Sequence, residues 1–364
     1  MAPMEGCKRK VYICGGAHRK DKKENSMKQL SIIIPVKDRA CLLEALLKEL
    51  HSPQSLPQDW EIVIVDDGSA KSISELAKSY NCQYIRLETS VGPAEARNIG
   101  ANAATGQMLF FTDSDCRITQ EILLDAVKTL RCLGRGYILG GTYKPTPVDR
   151  GFFSEFQSIF VHYFETKKAP AADYIATHAM LIYREDFFLV GGFRQGWLPM
   201  IEDVEFSHRA KRKGMALIME SAFQVGHFFG FSLWSSLRNA FWKAHYWSIY
   251  LLETGKVFSD SGTGSIELKF AVTSLLMSLF LVLMMGVYGI AVAAFFLALN
   301  VIFSFGMFRS FYRHKGILWT LKAGIYFLLV YPVPVAAGSI YGLFRFVGRV
   351  FKRKTLEELL CSHT

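Results

Sequence analysis

Three acidic clusters, Asp66-Asp67, Asp113-Ser114-Asp115 and Glu202-Asp203, stand where apolar runs end or where a helix should begin. Carboxylates gathered at one sheet edge repel one another unless a cation or a proton offsets the charge. A divalent metal holding a phosphorylated substrate is the chemistry they imply. Oxygen ligands of this kind suit Mg2+ or Mn2+, which keep open positions for diphosphate oxygens. Residues i and i+2 on an extended segment face the same way, so Asp113 and Asp115 are expected to converge on one side of a strand end.

The elements that must position these groups can be read from periodicity. Apolar runs at Leu30 to Val36, Glu61 to Val65, Gln83 to Leu87 and Met108 to Thr112 read as strands. Between them, Cys41 to Leu50, Ser72 to Tyr80 and Gly92 to Thr105 carry helical spacing. Alternation of this kind predicts an α/β fold with a mostly parallel, Rossmann-like sheet flanked by helices, whose ligands bind at the carboxyl ends of the strands. No Gly-x-Gly-x-x-Gly follows the first strand and no Gly-Lys-Ser/Thr phosphate loop occurs, which disfavours dinucleotide oxidoreductases and P-loop enzymes. Farther on, Ala176 to Tyr183 and Ala216 to Val225 read as strands. The aromatic run Phe152 to Phe164 reads as a helix, either of the core or facing an acceptor or a membrane.

The remainder differs in character. Phe270 to Phe308 is a run of 39 residues without Asp, Glu, Lys, Arg or His, and Ala323 to Phe344 adds 22 more. About 20 apolar residues make one helical span, so the first run fits two spans and the second one, which predicts an integral membrane protein. The net charge of +10 collects at residues 1–28 and at Arg345 to Lys354, as expected of basic runs facing the cytoplasm and anionic headgroups. No basic and aromatic motif of a nucleic-acid module accompanies it, so no nucleic-acid partner is expected. The seven cysteines, odd in number, read as reduced thiols; Cys7, Cys14 and His18 match no zinc spacing. No apolar stretch at the amino end suits a signal peptide.

In order along the chain stand Ser31-Ile-Ile-Ile-Pro35-Val-Lys-Asp38, Val65-Asp66-Asp67-Gly68-Ser69, Gly92-Pro-Ala-Glu-Ala-Arg97-Asn98, Asp113-Ser-Asp115, Gly191-Gly192-Phe193 and Glu202-Asp203-Val-Glu205. This succession, from about Leu30 to His227, resembles a family 2 glycosyltransferase of the GT-A fold. The resemblance implies an inverting transfer from a nucleotide-sugar, usually a UDP-sugar. It makes Asp115 the direct metal ligand and Asp113 a ribose or metal-shell contact. Asp67 takes the position that reads the uracil, with Pro35, Asp38 and Asp66 around the base. Arg97 would neutralise the donor or orient Asp67, and equally suits a helix-to-strand salt bridge. Asp203 takes the position of the catalytic base, with Glu202 in support, although acids are favoured at any helix amino terminus. His227 corresponds loosely to a further metal ligand and also reads as a structural histidine. His178 and Trp197 are weaker candidates for substrate contact.

The expected organisation is a basic extension (1–28), a GT-A catalytic domain (29–230), an amphipathic interfacial helix and linker (231–266), a transmembrane region (267–350) and a basic tail (351–364). The expected location is the inner cell membrane, crossed more than once, with the catalytic domain cytoplasmic. Pro332 and Pro334 are expected to break the last apolar segment into a re-entrant hairpin. The expected acceptor is a hydroxyl of a lipid-linked or envelope glycan. A polyprenyl-phosphate glycosyltransferase is the rival, but an anionic phosphate acceptor needs no base, and Glu202-Asp203 supplies one. A non-catalytic membrane scaffold is the remaining alternative.

Overall fold

The structure is a computed structural model that describes residues 28–196, 198–255, 260 and 264–361, with side chains as far as Phe351. Expectations for the basic extension up to residue 27, including Cys7, Cys14 and His18, and for Trp197 lie outside the described residues.

Strands β1 (Leu30–Val36), β2 (Trp60–Asp66), β3 (Gln83–Arg86) and β4 (Met108–Phe111) form a parallel set in the order β3-β2-β1-β4. Helices α1 (Ala40–Leu50), α2 (Ser74–Ser79) and α3 (Pro93–Ala103) make the crossovers. Burial of both faces explains why β1, β2 and β4 are largely apolar, whereas the edge strand β3 is not. Ile32, Ile34, Ile62 and Ile64 fill one buried layer, while Ile33, Val63, Val65 and Phe111 fill the other.

Beyond β4 come β5 (Cys116–Arg117), α4 (Gln120–Leu133), β6 (Tyr137–Tyr143), α5 (Phe152–Thr166), β7 (Met180–Tyr183), α6 (Arg184–Val190), α7 (Glu202–Arg212) and β8 (Ala216–His227). They complete an eight-stranded sheet, β3-β2-β1-β4-β7-β6-β8-β5. The expected parallel order breaks at β7, which runs antiparallel to both β4 and β6, so the sheet is mixed. The expected strand from Ala176 is also shorter. Thr177–Ala179 form a 3-10 turn, and the His178 carbonyl accepts from the Thr112 hydroxyl at 3.0 Å.

The carboxyl-terminal part contains α8 (Leu233–Thr254), α9 (Ile266–Met285), α10 (Val287–Phe303), α11 (Phe305–Lys315), α12 (Ile317–Ile325) and α13 (Pro332–Cys361). Helix α9 and the continuous stretch Ile317–Phe351 are long and apolar enough to cross a membrane. Helices α10 and α11, bent by 66° at their junction, make a third candidate if they count as one span. The expected hairpin at Pro332 and Pro334 is absent. A π-helical turn at Tyr326–Val330 precedes the prolines, and the Tyr331 amide reaches back five residues to the Tyr326 carbonyl at 2.8 Å. A widened turn relieves the proline ring's clash with the preceding turn, so the helix continues.

Helix α5 docks the sheet onto these helices. Phe156 is fully buried, with ring centroids 4.8 Å from Tyr326, 5.5 Å from Tyr331 and 5.6 Å from Phe311. Both readings of the aromatic run therefore meet in one helix, which is core on the face that touches the candidate spans. The expected interfacial helix, α8, lies along α13, with Trp247, Ile249 and Tyr250 buried and Trp234 exposed at its start. Gly338 and Gly342 permit that approach. A Cβ would come within 2.2 Å of the Phe241 carbonyl oxygen at the first and 2.7 Å of the His245 carbonyl oxygen at the second.

Candidate active site

The carboxyl ends of β1 and β2 carry the first group of predicted residues. Asp66 is fully buried, and its oxygens accept from the Ser69 amide at 2.9 Å and the Tyr84 hydroxyl at 2.7 Å. Those partners hold the turn after β2 against β3. Asp67 accepts from the Ser90 hydroxyl at 2.8 Å, the Val91 amide at 2.7 Å and the Gly92 amide at 3.1 Å. Gly68 makes this approach possible, because a Cβ there would meet the Ser90 nitrogen at 2.9 Å on a backbone with φ of 72°. Asp38, left-handed at φ 54°, accepts from the Ala70 amide at 2.8 Å, and its own amide donates to the Ser69 hydroxyl at 3.0 Å. Pro35 is half-buried at the end of β1, close behind this turn. The turns after β1 and β2 are thus braced against each other and against Ser90 to Gly92.

Arg97, buried on α3, is the hinge of the second group. Its guanidinium donates to Asp113 at 2.6 Å and to Glu202 at 2.7 Å. The expectation that Arg97 orients Asp67 is therefore corrected, since Asp67 finds its partners in the Ser90 loop. Burial alone would push the Asp113 carboxyl up, but the adjacent Arg97 charge and hydrogen bond hold it below its ordinary value. Asn98, one residue on, clasps the Phe193 backbone through both its amide atoms, at 2.8 and 2.9 Å, fixing α3 to the Gly191-Gly192-Phe193 turn.

Asp115 belongs to a third group. The Asp113 to Cys116 segment closes as a turn, with the Cys116 amide donating to the Asp113 carbonyl at 3.0 Å, so Asp113 and Asp115 face different partners. Asp115 contacts Arg39 through one oxygen and lies 3.2 Å from His227 Nε2 through the other. Pairing of β5 with the end of β8 sets Cys116 opposite His227 and thereby creates this contact. Ligand atoms of Asp115, His227 and Cys116 lie within 4.8 Å of one another.

This donor set fits a hard divalent cation. Burial pushes the His227 imidazole down to about 3, so the ring stays neutral and can ligate, while burial pushes the Cys116 thiol up to about 12. The carboxylate and the imidazole are then the ligands ready for Mg2+ or Mn2+. Arg39 has an exposed side chain, so it can leave Asp115 when another cation arrives.

Asp203 opens α7 and lines a polar cavity of about 180 Å3 together with Arg97, Asp113, Glu165, His178 and Lys243. Burial, and secondly the Glu202 charge, raises its carboxyl to about 7. That value is suited to a group that takes up a proton near neutral pH. His178, the weaker candidate, stacks on Tyr143 at 3.9 Å, and its Nε2 lies 3.5 Å from Glu165. Glu165 and Lys243 are wall residues that the sequence reading missed. The one signal for Glu165 was a carboxylate at the end of an otherwise aromatic helix, and it is held there by the Thr142 hydroxyl at 2.8 Å.

Residues 31–190 match Glycosyl transferase family 2. An uncharacterized glycosyltransferase of Haemophilus influenzae is 31% identical over 182 residues, 49% of this chain and 60% of that protein. The poly(ribitol-phosphate) beta-N-acetylglucosaminyltransferase TarS of Staphylococcus aureus is 32% identical over 105 residues, 28% of this chain and 18% of that protein. The chain thus spans less than two thirds of the length of these relatives. Among solved structures, the mannosyltransferase PcManGT of Pyrobaculum calidifontis, in complex with GDP-Man and Mn2+, superposes with a TM-score of 0.54 at 14% identity, covering 87% of each chain. In the succession of motifs, the mixed GT-A-type sheet and these matches, residues 31–190 are similar to a family 2 glycosyltransferase domain.

Proposed function

We propose that this protein is a membrane-bound, inverting glycosyltransferase that moves a sugar from a nucleotide-sugar, most simply a UDP-sugar, to a hydroxyl of a lipid-linked or envelope glycan. The observation that carries the reading is Asp203. It is a carboxylate of raised proton affinity lining the same cavity as Asp113, whose own proton affinity is lowered. Neighbouring carboxylates pushed in opposite directions are the arrangement that divides acid–base work from charge binding.

In this reading the turn of Asp38, Asp67 and Pro35 receives the nucleoside base, and Asp113 with Arg97 flanks the ribose and phosphates. A divalent cation held by Asp115 and His227 would supply positive charge for the departing diphosphate. Asp203 takes the proton of the acceptor hydroxyl. The acceptor oxygen then forms its bond to the anomeric carbon from the face opposite the bond that breaks, and the electron pair of that bond leaves on the diphosphate oxygen. Because a phosphate acceptor carries no such proton, the proton affinity of Asp203 favours the hydroxyl acceptor over polyprenyl phosphate itself. The name of TarS, which describes transfer onto poly(ribitol-phosphate), is in keeping with an envelope polymer. The candidate spans support integration into a membrane, and with two of them, α9 and Ile317–Phe351, the basic Arg345 to Lys354 region falls on the catalytic domain's side, in keeping with a cytoplasmic location.

The test is calorimetry of UDP and GDP binding with and without Mn2+, followed by incubation of membranes with labelled nucleotide sugars. Metal-dependent binding of a nucleotide and label in a lipid extract are expected, with loss of label but not of binding in Asp203→Asn. Absence of metal-dependent binding would sink the reading.

A further inference from the structure

Two cavities meet at α8. The first is the polar cavity at Asp203, and the second, of about 170 Å3, lies among α8, α9 and α13 and is lined mainly by apolar groups such as Leu268, Val272 and Val335. Lys243 and Trp247, one turn apart on α8, line both. Lys243 makes no hydrogen bond or ion pair among the described residues. Burial pulls its ammonium down from the ordinary value against the opposing charges of Glu165 and Asp203. An ammonium that lines both an apolar cleft beside candidate spans and a carboxylate-lined cavity matches an amphiphile with an anionic linkage: hydrocarbon on one side of the cation, hydroxyls on the other.

We infer that the cleft among α8, α9 and α13 binds the hydrocarbon chain of a membrane-embedded alkyl phosphate, with its phosphate at Lys243 and its hydroxyl-bearing head group in the Asp203 cavity. The head group's fate rests on the transferase reading, whereas the chain and phosphate site does not. The assignment makes Lys243 a positioning residue and identifies the acceptor's class as a lipid phosphate bearing a sugar or polyol.

Dodecyl phosphate carrying a diazirine on its chain is the probe, applied to the full chain in phosphatidylcholine nanodiscs and mapped by mass spectrometry after illumination. Adducts are expected at Leu268, Val272 and Val335, suppressed by excess dodecyl phosphate but not by butyl phosphate or dodecanol. Val272→Trp, which fills the cleft, and Lys243→Gln are each expected to lower labelling about tenfold, with Lys243→Arg retaining it; this is the size of one lost charge-assisted hydrogen bond. Labelling spread over outward positions such as Leu283 and Leu318, or equal competition by dodecanol, overturns the assignment, and wild-type competition alone decides it if a variant fails to fold. Calorimetry of UDP with Mn2+ on the same preparation separates the two readings. Nucleotide binding without specific labelling removes only the lipid site, and specific labelling without nucleotide binding removes only the transferase.

Discussion

Arg97 Nη1 donates to Glu202 Oε1 at 2.7 Å across 105 positions of sequence, and both side chains are buried. The pair ties the helix after β3 to the start of α7, so Asp113 and the proposed base share one electrostatic hinge. Removing one partner of a buried pair leaves an uncompensated charge. Arg97→Met should therefore cost about 3–5 kcal/mol of stability. Adding Glu202→Gln should recover part of it, and a double-mutant cycle in denaturant measures the coupling. An Arg97→Met melting curve that overlays the wild type would remove the pair from the list of elements holding the site.

Asp203 makes activity depend on pH in a stated direction. With its carboxyl raised to about 7, the base is protonated and idle at low pH, and turnover should rise through a midpoint near 7. Since the Glu202 charge contributes to that rise, Glu202→Gln should move the midpoint to lower pH. Stability runs the other way. The folded carboxyl holds its proton more tightly than the unfolded one at about 4, so stability is lost as pH climbs from about 4 to 7. Asp203→Asn should flatten that slope in thermal melts from pH 5 to 8, and an unchanged slope would contradict the burial argument.

Arg39 occupies the carboxylate that the metal would use. Asp115→Asn should abolish the Mn2+ dependence of UDP binding, and His227→Ala should weaken it by about 10–100-fold. Arg39→Ala removes a competing cation and should bring Mn2+ saturation to lower concentration in a metal titration. A weaker Mn2+ response in that variant would show that Arg39 serves the donor and does not guard the site.

Gly338 and Gly342 test the coupling of α8 to α13. Gly338→Val must push α8 away from a carbonyl now 2.2 Å from the would-be Cβ, at a cost of about 1–3 kcal/mol. Sugar transfer should fall while metal-dependent UDP binding stays near wild type, because Asp67 and Asp115 lie at strand ends outside the cavity that α8 lines. Equal loss of both activities would mean that the helix pair supports the entire fold.

Part of the candidate site was legible because β2 and β4 each announce themselves as an apolar run closed by acids, Asp66-Asp67 and Asp113. Candidate spans were equally plain from charge-free runs. Partners were not legible. Nothing near Arg97 in sequence shows that it meets Glu202 and leaves Asp67 to the Ser90 loop, because ion pairs across such distances depend on how crossovers stack. The Asp113-Ser-Asp115 spacing suggested convergence on an extended strand, but a turn separates the two carboxylates. The aromatic and basic character of α8 suited a headgroup helix, and only its packing along α13 shows Lys243 turned toward the Asp203 cavity.

The glycine contact between α8 and α13 also bears on how such a protein can change its substrate. In the proposed reading Asp38, Asp67, Arg97, Asp113 and Asp115 precede residue 190, where the family match ends, whereas Lys243 and Trp247 of α8 follow it. Exchanging the carboxyl-terminal helices between two such proteins would then swap acceptors while leaving the donor untouched. A chimaera joined between β8 and α8 would be the natural place to cut, since it keeps Glu202 with Arg97 and His227 with Asp115 on one stretch of chain.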